Sequence, residues 1–450
     1  MTYEERTQAE VDALLSKGKT EDAKDAGPSF KLDRSQVSAI NKIKGWFDKN
    51  DSLFFVLSGR AGTGKSTIIS EVIKELGLGE SEVKYLAPTG KAVSVLKSKG
   101  ISRASTIHKF IYRFCGSTLK SQKVQGNAEV AELCASGNYE EAREMLDSIE
   151  ESKRSRKRPK VFFASRKVSG LNKLRLIVVD EASMINDEEI ADITSLGVKT
   201  IFVGDNAQLP PVEGKNSIMK NPDAEIKTIH RQGKHSRIID FANKIMEDEK
   251  LSFLNEWENS SDVAVVGRET YEAFREHIIK ARKYQFLTVT NAEKDSINKL
   301  SRELLGYSEH KFPMSGEKLL ALGGHKDTGI VNGIQGLVVD SFTETEVEHD
   351  SIRYWVIEGK VMLLDGTKRI VNVTMRRNAF ISGNLYEFDD GESLWEYGYA
   401  MTVHKSQGSA WEYVVYVYDD CLNCLQNLNY TAVTRASKSL IFVKKKGQIV

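Results

Sequence analysis

Cysteine is scarce in this chain, with four in 450 residues. That is too few for a disulfide framework and points to a reducing cytosol. Cys421-Leu-Asn-Cys424 has the spacing of a metal or redox pair, but no second CxxC or nearby His pair completes a zinc site, so structural thiols are expected. No apolar run approaches the roughly 20 residues that span a bilayer. Met1-Thr-Tyr-Glu-Glu has neither the basic nor the apolar region of a signal peptide. A cytoplasmic protein without a membrane partner is the expectation. Solenoid-type repeats are missing as well. So is a dominant charge, since 64 basic and 63 acidic residues leave +1. What remains, 40% hydrophobic and 28% charged residues, is a globular composition with room for roughly two to four domains.

The small net charge conceals an uneven distribution. Between Ser152 and Val168 lie Lys153, Arg154, Arg156, Lys157, Arg158, Lys160, Arg166 and Lys167 with no acid among them, whereas Glu129–Glu151 is acid-rich. Such a run suits a partner with a phosphate backbone that must be gripped and released. It equally suits a solvated loop, and composition alone leaves both open.

Apolar strands punctuate the chain: Leu53–Leu57, Val83–Ala87, Leu174–Val179, Thr200–Val203, Gln285–Val289, Tyr397–Met401, Val414–Tyr418 and Leu440–Val443. With helical segments between them, they indicate buried parallel sheets. Residues 1–31 are polar and rich in alanine and lysine, ending in Ala26-Gly-Pro-Ser29, and read as an extension. Stretches near 110–169 and 323–395 interrupt the first and second strand series.

Chemistry enters at Gly59-Arg-Ala-Gly-Thr-Gly-Lys65-Ser66, which follows the first strand and precedes a helical stretch. Glycines there let backbone N–H groups close around phosphate oxygens, and the helix N-terminus favours negative charge. Lys65 would reach the β- and γ-phosphates of a nucleoside triphosphate, and the Ser66 hydroxyl would bind Mg²⁺. Leu176-Ile-Val-Val-Asp180-Glu181 is a strand ending in two acids. Asp180 would hold Mg²⁺, and Glu181 would orient and deprotonate the attacking water. Thr200-Ile-Phe-Val-Gly204-Asp205-Asn-Ala-Gln208-Leu-Pro-Pro211 then delivers an amide to where a γ-phosphate would lie, so Gln208 would sense its presence or loss.

Together these motifs resemble those of the superfamily 1 DNA helicases, in the branch containing RecD, Pif1 and the phage Dda helicases, and the Dda type most of all. The resemblance runs across residues 34–437 in the family's order. Gln36 is similar to the glutamine that reads adenine. Gly59–Ser66 matches motif I, Ala87-Pro88-Thr89-Gly-Lys91-Ala motif Ia, and Ser105-Thr106-Ile-His108-Lys109 motif Ib. Asp180-Glu181-Ala-Ser and Gly204–Pro211 match motifs II and III. His230-Arg231-Gln232 resembles motif IV, Tyr399-Ala-Met-Thr402-Val-His404-Lys405-Ser-Gln407-Gly408 motif V, and Asn429-Tyr430-Thr431-Ala-Val-Thr434-Arg435-Ala436 motif VI.

The resemblance implies an α/β fold of two RecA-like motor domains. The first would comprise 32–109 and 170–229, interrupted by a pin-bearing insertion at 110–169. The second would comprise 230–322 and 396–450, interrupted by a small SH3-like β-barrel at 323–395, where Asn332-Gly333 is a natural tight turn. ATP would rest on Gln36, Gly59, Ala61, Gly62, Thr63, Gly64, Lys65, Ser66, Thr67 and Gly408. Lys65, Glu181, Gln208 and the arginine fingers Arg231 and Arg435 would carry catalysis, with Mg²⁺ on Ser66 and Asp180. Single-stranded DNA would cross the opposite face on Pro88, Thr89, Lys91, Thr106, His108, Thr402, His404 and Lys405, contacts suited to phosphate gripping without base readout. Phe110, Tyr112 and Phe114 offer faces on which bases could stack, but Phe110 and Phe114 share a face at helical spacing, and core packing is the expectation for them. The basic run and Phe162-Phe163 would meet the duplex or its junction.

An ATP-dependent, DNA-stimulated helicase moving 5′-to-3′ is the function implied, in replication, recombination or repair. Its expected partners are single-stranded and forked DNA, with a single-strand-binding protein or replication proteins beside a monomeric motor. A P-loop ATPase remodelling RNA or protein–nucleic acid complexes, a 3′-to-5′ translocase and a non-catalytic DNA-binding scaffold are the alternatives.

Overall fold

A computed structural model describes residues 32–49, 51–60, 62–117, 161–165, 168, 170–226, 236–325, 328–349, 352–377, 380, 393–419 and 425–444. The extension 1–31, the basic residues Lys153–Lys160, Ala61, Arg231 and the Cys421/Cys424 pair lie outside them, as do the side chains of Phe114, Phe162 and Phe163. Among the described residues no helix is long and apolar enough to cross a membrane. The chain forms two compact units, Thr106–Leu171 and the remainder.

The first motor sheet grows from the apolar runs. Phe54–Gly59 (β1), Val83–Ala87 (β2) and Ser105–Thr106 (β3) come first in sequence. In the smaller unit, helix Ile107–Ile111 leads into Tyr112–Ser117 (β4), which pairs antiparallel with Val161–Ser165 (β5). Phe114 therefore lies on a strand, not on the helix with Phe110. Its expected helical partnership fails because Tyr112 already has extended backbone, with φ −117° and ψ 157°. Leu176–Val179 (β6), Thr200–Gly204 (β7) and Ala224–Ile226 (β8) complete a six-stranded sheet of order β3-β2-β6-β7-β1-β8.

Helices Arg34–Asp48 and Lys65–Glu75 close this sheet with Ala39, Ile40, Ile43, Ile68, Ile69 and Val72. The spacing puts those side chains on one stripe of each helix. Each fully buried aliphatic side chain is worth about 1.5–3 kcal/mol. A capping box fixes where the first of these helices starts: Asp33 accepts from the Gln36 N–H while the Gln36 side chain returns to the Asp33 N–H.

The second motor sheet takes Val263–Val266 (β9) and Tyr284–Thr288 (β10). The chain then leaves it for Lys318–Ala321 (β11), Gln335–His349 (β12), Ile352–Leu363 (β13), Ile370–Arg376 (β14) and Trp395–Tyr397 (β15). These five form an antiparallel sheet of order β14-β13-β12-β11-β15 around Ile357, Val361, Val373 and Trp395. Ala400–Thr402 (β16), Trp411–Val417 (β17) and Ala436–Val443 (β18) return to the motor sheet, whose order is β16-β10-β17-β18-β9 with every pair parallel.

Three boundaries differ from expectation. The single strand expected over Tyr397–Met401 is two strands serving different sheets, joined at Gly398. A Cβ at Gly398 would stand 2.8 Å from the Leu319 carbonyl carbon, so only glycine lets the chain cross there. The antiparallel sheet also begins at Lys318, ahead of residue 323, because β11 pairs with β12. The smaller unit likewise starts at Thr106, not 110.

Candidate functional site

Strands β6, β7 and β1 lie side by side and parallel. Their carboxyl ends bring three polar loops to one edge of the sheet, which is where open α/β sheets bind ligands.

The first loop is the glycine-rich turn. Gly62 and Gly64 adopt φ of +80° and +82°, and Gly64 is the N-cap of helix Lys65–Glu75. Lys65 Nζ donates to the Gly59 and Arg60 carbonyls at 2.5 and 3.1 Å. Ser66 and Thr67 are exposed in the first helical turn, and Ser66 Oγ accepts from Lys99 Nζ at 3.4 Å. Gln36 is fully buried behind the loop. Its Nε2 donates to the Thr63 carbonyl at 3.1 Å and its Oε1 accepts from the Asp33 N–H at 3.0 Å. Both ends of this amide thus brace the loop and cap a helix, so an adenine would share Gln36 with those bonds.

The second loop carries the acids. Asp180 Oδ1 accepts from the Glu181 N–H at 3.0 Å. Glu181 sits at φ +54°, a left-handed conformation that costs a non-glycine residue about 1–3 kcal/mol and that clusters at functional positions. Burial, and then the Asp180 charge, raise the Glu181 carboxyl above the usual range; Arg435 and Lys65 pull it down and Asp205 pushes it up. These groups therefore share one electrostatic neighbourhood.

In the third loop Asp205 is fully buried. Its Oδ1 accepts from the Ala207 N–H at 3.0 Å, and its Oδ2 accepts from Gln208 Nε2 at 3.3 Å and Tyr430 Oη at 3.1 Å. Gln208 Oε1 is buried with no hydrogen-bond partner among the described residues, an acceptor left without its usual compensation. The loop is clasped from the second motor domain by helix Leu425–Val433. Thr431 Oγ1 accepts from the Leu209 N–H at 3.0 Å, and Asn427 Nδ2 donates to the Ala207 and Gln208 carbonyls at 2.9 and 3.2 Å.

Arg435 follows that helix and is 5% exposed. Its guanidinium donates to the Thr431 and Ser409 carbonyls, each at 3.0 Å, and to Thr434 Oγ1 at 3.3 Å. Gly408 adopts φ +72° beside Ala92. A further bridge between the motor domains joins Arg60 Nη1 to Asn243 Oδ1. Sequence reasoning missed Arg60, Asn243 and Asn427, and gave no role to Tyr430 or Thr431. Motif VI was the available signal for the last two and motif I for Arg60; Asn243 and Asn427 carry none, because their partners lie more than 180 positions away.

The residues expected on DNA are held in varied ways. Pro88 is half-buried where β2 ends. Thr89 caps helix Gly90–Ser98 by accepting from the Ala92 N–H at 3.1 Å. Lys91 does not stand on an open face: its Nζ lies 5.1 Å from the Trp411 ring centroid, and burial with the Arg435 charge lowers its pKa to about 8. Thr402 is buried at the end of β16, His404 is exposed, and Lys405 pairs with Glu396 at 2.7 Å. In the smaller unit Thr106 caps its helix through the Lys109 N–H at 3.2 Å, and the exposed His108 packs on Tyr112.

Comparison with known proteins agrees with this architecture. The AAA domain family model matches residues 31–268, and the UvrD-like helicase C-terminal domain model matches residues 397–443. The chain is 24% identical to the ATP-dependent RecD2 DNA helicase of Deinococcus radiodurans over 90% of its own length and 48% of that protein's. It spans less than half the length of the curated relatives it matches. Its fold is similar to Bacteroides Pif1 bound to single-stranded DNA, with TM-score 0.51, 17% identity and 92% of each chain covered. A structure of two coordinating Pif1 helicases at forked duplex DNA gives TM-score 0.51 at 18% identity over 94% of each chain. With its nucleotide loop, paired parallel sheets and motif order accounted for in this way, the chain belongs to the AAA domain family and is similar to RecD2- and Pif1-type helicases.

Proposed function

We propose that this chain hydrolyses ATP to step 5′-to-3′ along single-stranded DNA and to separate the strands of a forked duplex. The observation that carries the reading is the clasp between the Asp205–Leu209 loop and helix Leu425–Val433. Gln208 would meet the γ-phosphate, and the clasp ties its loop to the element that ends beside Arg435. Loss of the γ-phosphate would thereby be felt in the second motor domain, which is the coupling a translocase requires. Lys65 would exchange its loop carbonyls for phosphate oxygens. Glu181, whose carboxyl pKa burial and the Asp180 charge raise, suits the base that takes a proton from the attacking water. Arg435, and Arg231 outside the described residues, would meet charge developing on the transferred phosphoryl group.

Among the described residues no group of three or more His, Cys, Asp or Glu side chains could hold a metal. The Ser66 hydroxyl and Asp180 carboxylate are too few donors to hold a metal alone. They fit Mg²⁺ that takes its remaining ligands from phosphate and water. Bound there with ATP, Mg²⁺ would supply neutralising charge to the phosphates.

The ATP-dependent DNA helicase of Deinococcus radiodurans and the Pif1 structures with single-stranded and forked DNA support ATP as fuel and those DNAs as partners. The antiparallel insertion ahead of motif V supports the 5′-to-3′ branch. A single-strand-binding or replication protein beside a monomeric cytoplasmic motor completes the reading. The test is ATPase activity with and without single-stranded DNA, followed by strand displacement on matched 5′- and 3′-tailed duplexes. Stimulated turnover with unwinding of the 5′-tailed substrate is expected. Unwinding of only the 3′-tailed duplex would overturn the polarity, and an ATPase indifferent to DNA would overturn the translocase reading.

A further inference from the structure

Trp411 joins three separate parts of the chain. Its backbone N–H donates to the Arg435 carbonyl at 2.9 Å. Its ring Nε1–H donates to Gln335 Oε1 at 2.9 Å, at the start of β12 in the antiparallel domain. Above its ring stands the Lys91 ammonium, 5.1 Å from the centroid, delivered by helix Gly90–Ser98 of the first motor domain.

The surroundings hold each partner in place. Gln335 Nε2 donates to Gln285 Oε1 at 2.8 Å and to the Gly398 carbonyl at 3.0 Å, which anchors it to the second motor domain. Val331 packs so closely on Gly90 that a Cβ there would stand 2.7 Å from Val331 Cβ. The Cβ position of Gly333 lies 3.8 Å from Lys91 Cδ. Lys91 is therefore enclosed by the turn before β12 on one side and by Trp411 on the other. An ammonium held near a second cation, Arg435, gains from an aromatic face that an aliphatic side chain could not supply.

We propose that Trp411 is a positioning residue that couples motif Ia of the first motor domain to the arginine finger of the second, with its indole face holding Lys91. Lys91 acts as the cross-domain contact and not as an independent grip on a DNA phosphate. The proposal rests on the translocase reading above. Movement of Arg435 toward a nucleotide carries Trp411 through their shared backbone bond. Trp411 then draws Lys91, and with it the start of the Gly90–Ser98 helix.

The test uses the full chain with Trp411→Leu, Trp411→Phe, Lys91→Met and the Trp411→Leu/Lys91→Met double variant. ATPase is measured without DNA and over a titration of a short oligothymidylate, and unfolding midpoints are measured in denaturant. Without DNA, Trp411→Leu should hydrolyse ATP within about twofold of the unaltered chain. Its maximal stimulated rate should fall about fivefold, the order of one partly exposed cation–π contact, with the half-stimulating oligothymidylate concentration unchanged. Trp411→Phe, which keeps a ring face, should recover most of that rate. Lys91→Met should add nothing on the Trp411→Leu background, in stimulation or in unfolding. Losses that multiply would overturn the coupling, as would a Lys91→Met effect confined to the half-stimulating concentration. Full stimulation in every variant would overturn the role of Trp411 alone. An unaltered chain that ignores oligothymidylate would overturn the translocase reading first.

Discussion

Thr431→Val isolates one bond of the clasp with almost no change of shape. Thr431 is fully buried and its Oγ1 accepts from the Leu209 N–H at 3.0 Å while donating to the Asn427 carbonyl at 2.7 Å. Valine keeps the volume and strands the N–H of Leu209, a residue only 1% exposed, without an acceptor. A buried donor left unpaired costs about 1–3 kcal/mol. The Asn427 carbonyl loses less, because helical geometry continues to serve it. A drop of about 2 kcal/mol in unfolding free energy is therefore expected from equilibrium denaturation. If the clasp also transmits the state of Gln208, part of that penalty falls on the closed, hydrolysing arrangement. Each 1.4 kcal/mol placed there lowers kcat about tenfold. Steady-state ATPase at saturating single-stranded DNA should then show kcat down by about tenfold, with KM for ATP little moved because no nucleotide contact is removed. The refuting result is a folded Thr431→Val chain, destabilised as calculated, that turns over at the normal rate. The clasp would then be structural packing between domains and nothing more.

Lys65→Ala should abolish hydrolysis in a protein whose far-ultraviolet dichroism is unchanged; DNA-stimulated turnover in that variant would overturn the phosphate-loop assignment. Glu181→Gln should bind Mg·ATP normally, as read by a fluorescent nucleotide, and lose most turnover. Because burial and Asp180 raise the Glu181 pKa, the acidic limb of the kcat profile should lie above the ordinary carboxylate range, with activity rising as pH rises through it. The same sign governs stability: a carboxyl that holds its proton more tightly when folded favours the fold below its unfolded pKa and loses that contribution as pH rises through the folded one. Glu181→Gln should flatten that stretch of the stability curve, and an unchanged curve would contradict the raised pKa. Neutralising Lys153–Arg158 should weaken forked-DNA binding and reduce its salt slope while short single strands still stimulate ATPase; an unaltered slope would make the run a solvated loop.

The motor sheets were legible because parallel strands buried on both faces read as continuous apolar runs. Leu176–Val179, buried at all four positions, is of this kind. Ala224–Ile226 offers three residues with an exposed Glu225 at the centre, too little for any periodicity to register. It is a strand because its neighbour β1 supplies the pairing. Tyr397–Met401 misled for the opposite reason. Its residues suit a strand throughout, and only the approach of Leu319 to Gly398 reveals that two sheets divide it. Phe114 misled through spacing alone, since the four-residue interval from Phe110 spans the end of a helix and the start of a strand.

At the site, legibility followed the range of the interactions. A phosphate loop is local: eight consecutive residues bend the backbone and present their own N–H groups, so the chemistry can be read in one stretch. Arg435 shares the electrostatic neighbourhood of Glu181 through the pairing of two domains, and only its motif made it visible. Lys91 shows where local reading stops. A lysine following Pro88-Thr89-Gly90 has the residue type and position of a phosphate contact, yet its ammonium lies over an indole that arrives 320 positions later. Nothing in either segment announces the other, because a cation–π pair demands no sequence pattern, only a face and a charge brought within about 6 Å. The fold supplies that proximity by closing helix Gly90–Ser98 against Gly408, Trp411 and the turn before β12. Residues that contact ligands are therefore readable from type and position. Residues that pass force between domains become readable only once the domains are packed, and in this chain Trp411, Asn427 and Asn243 are of that second kind.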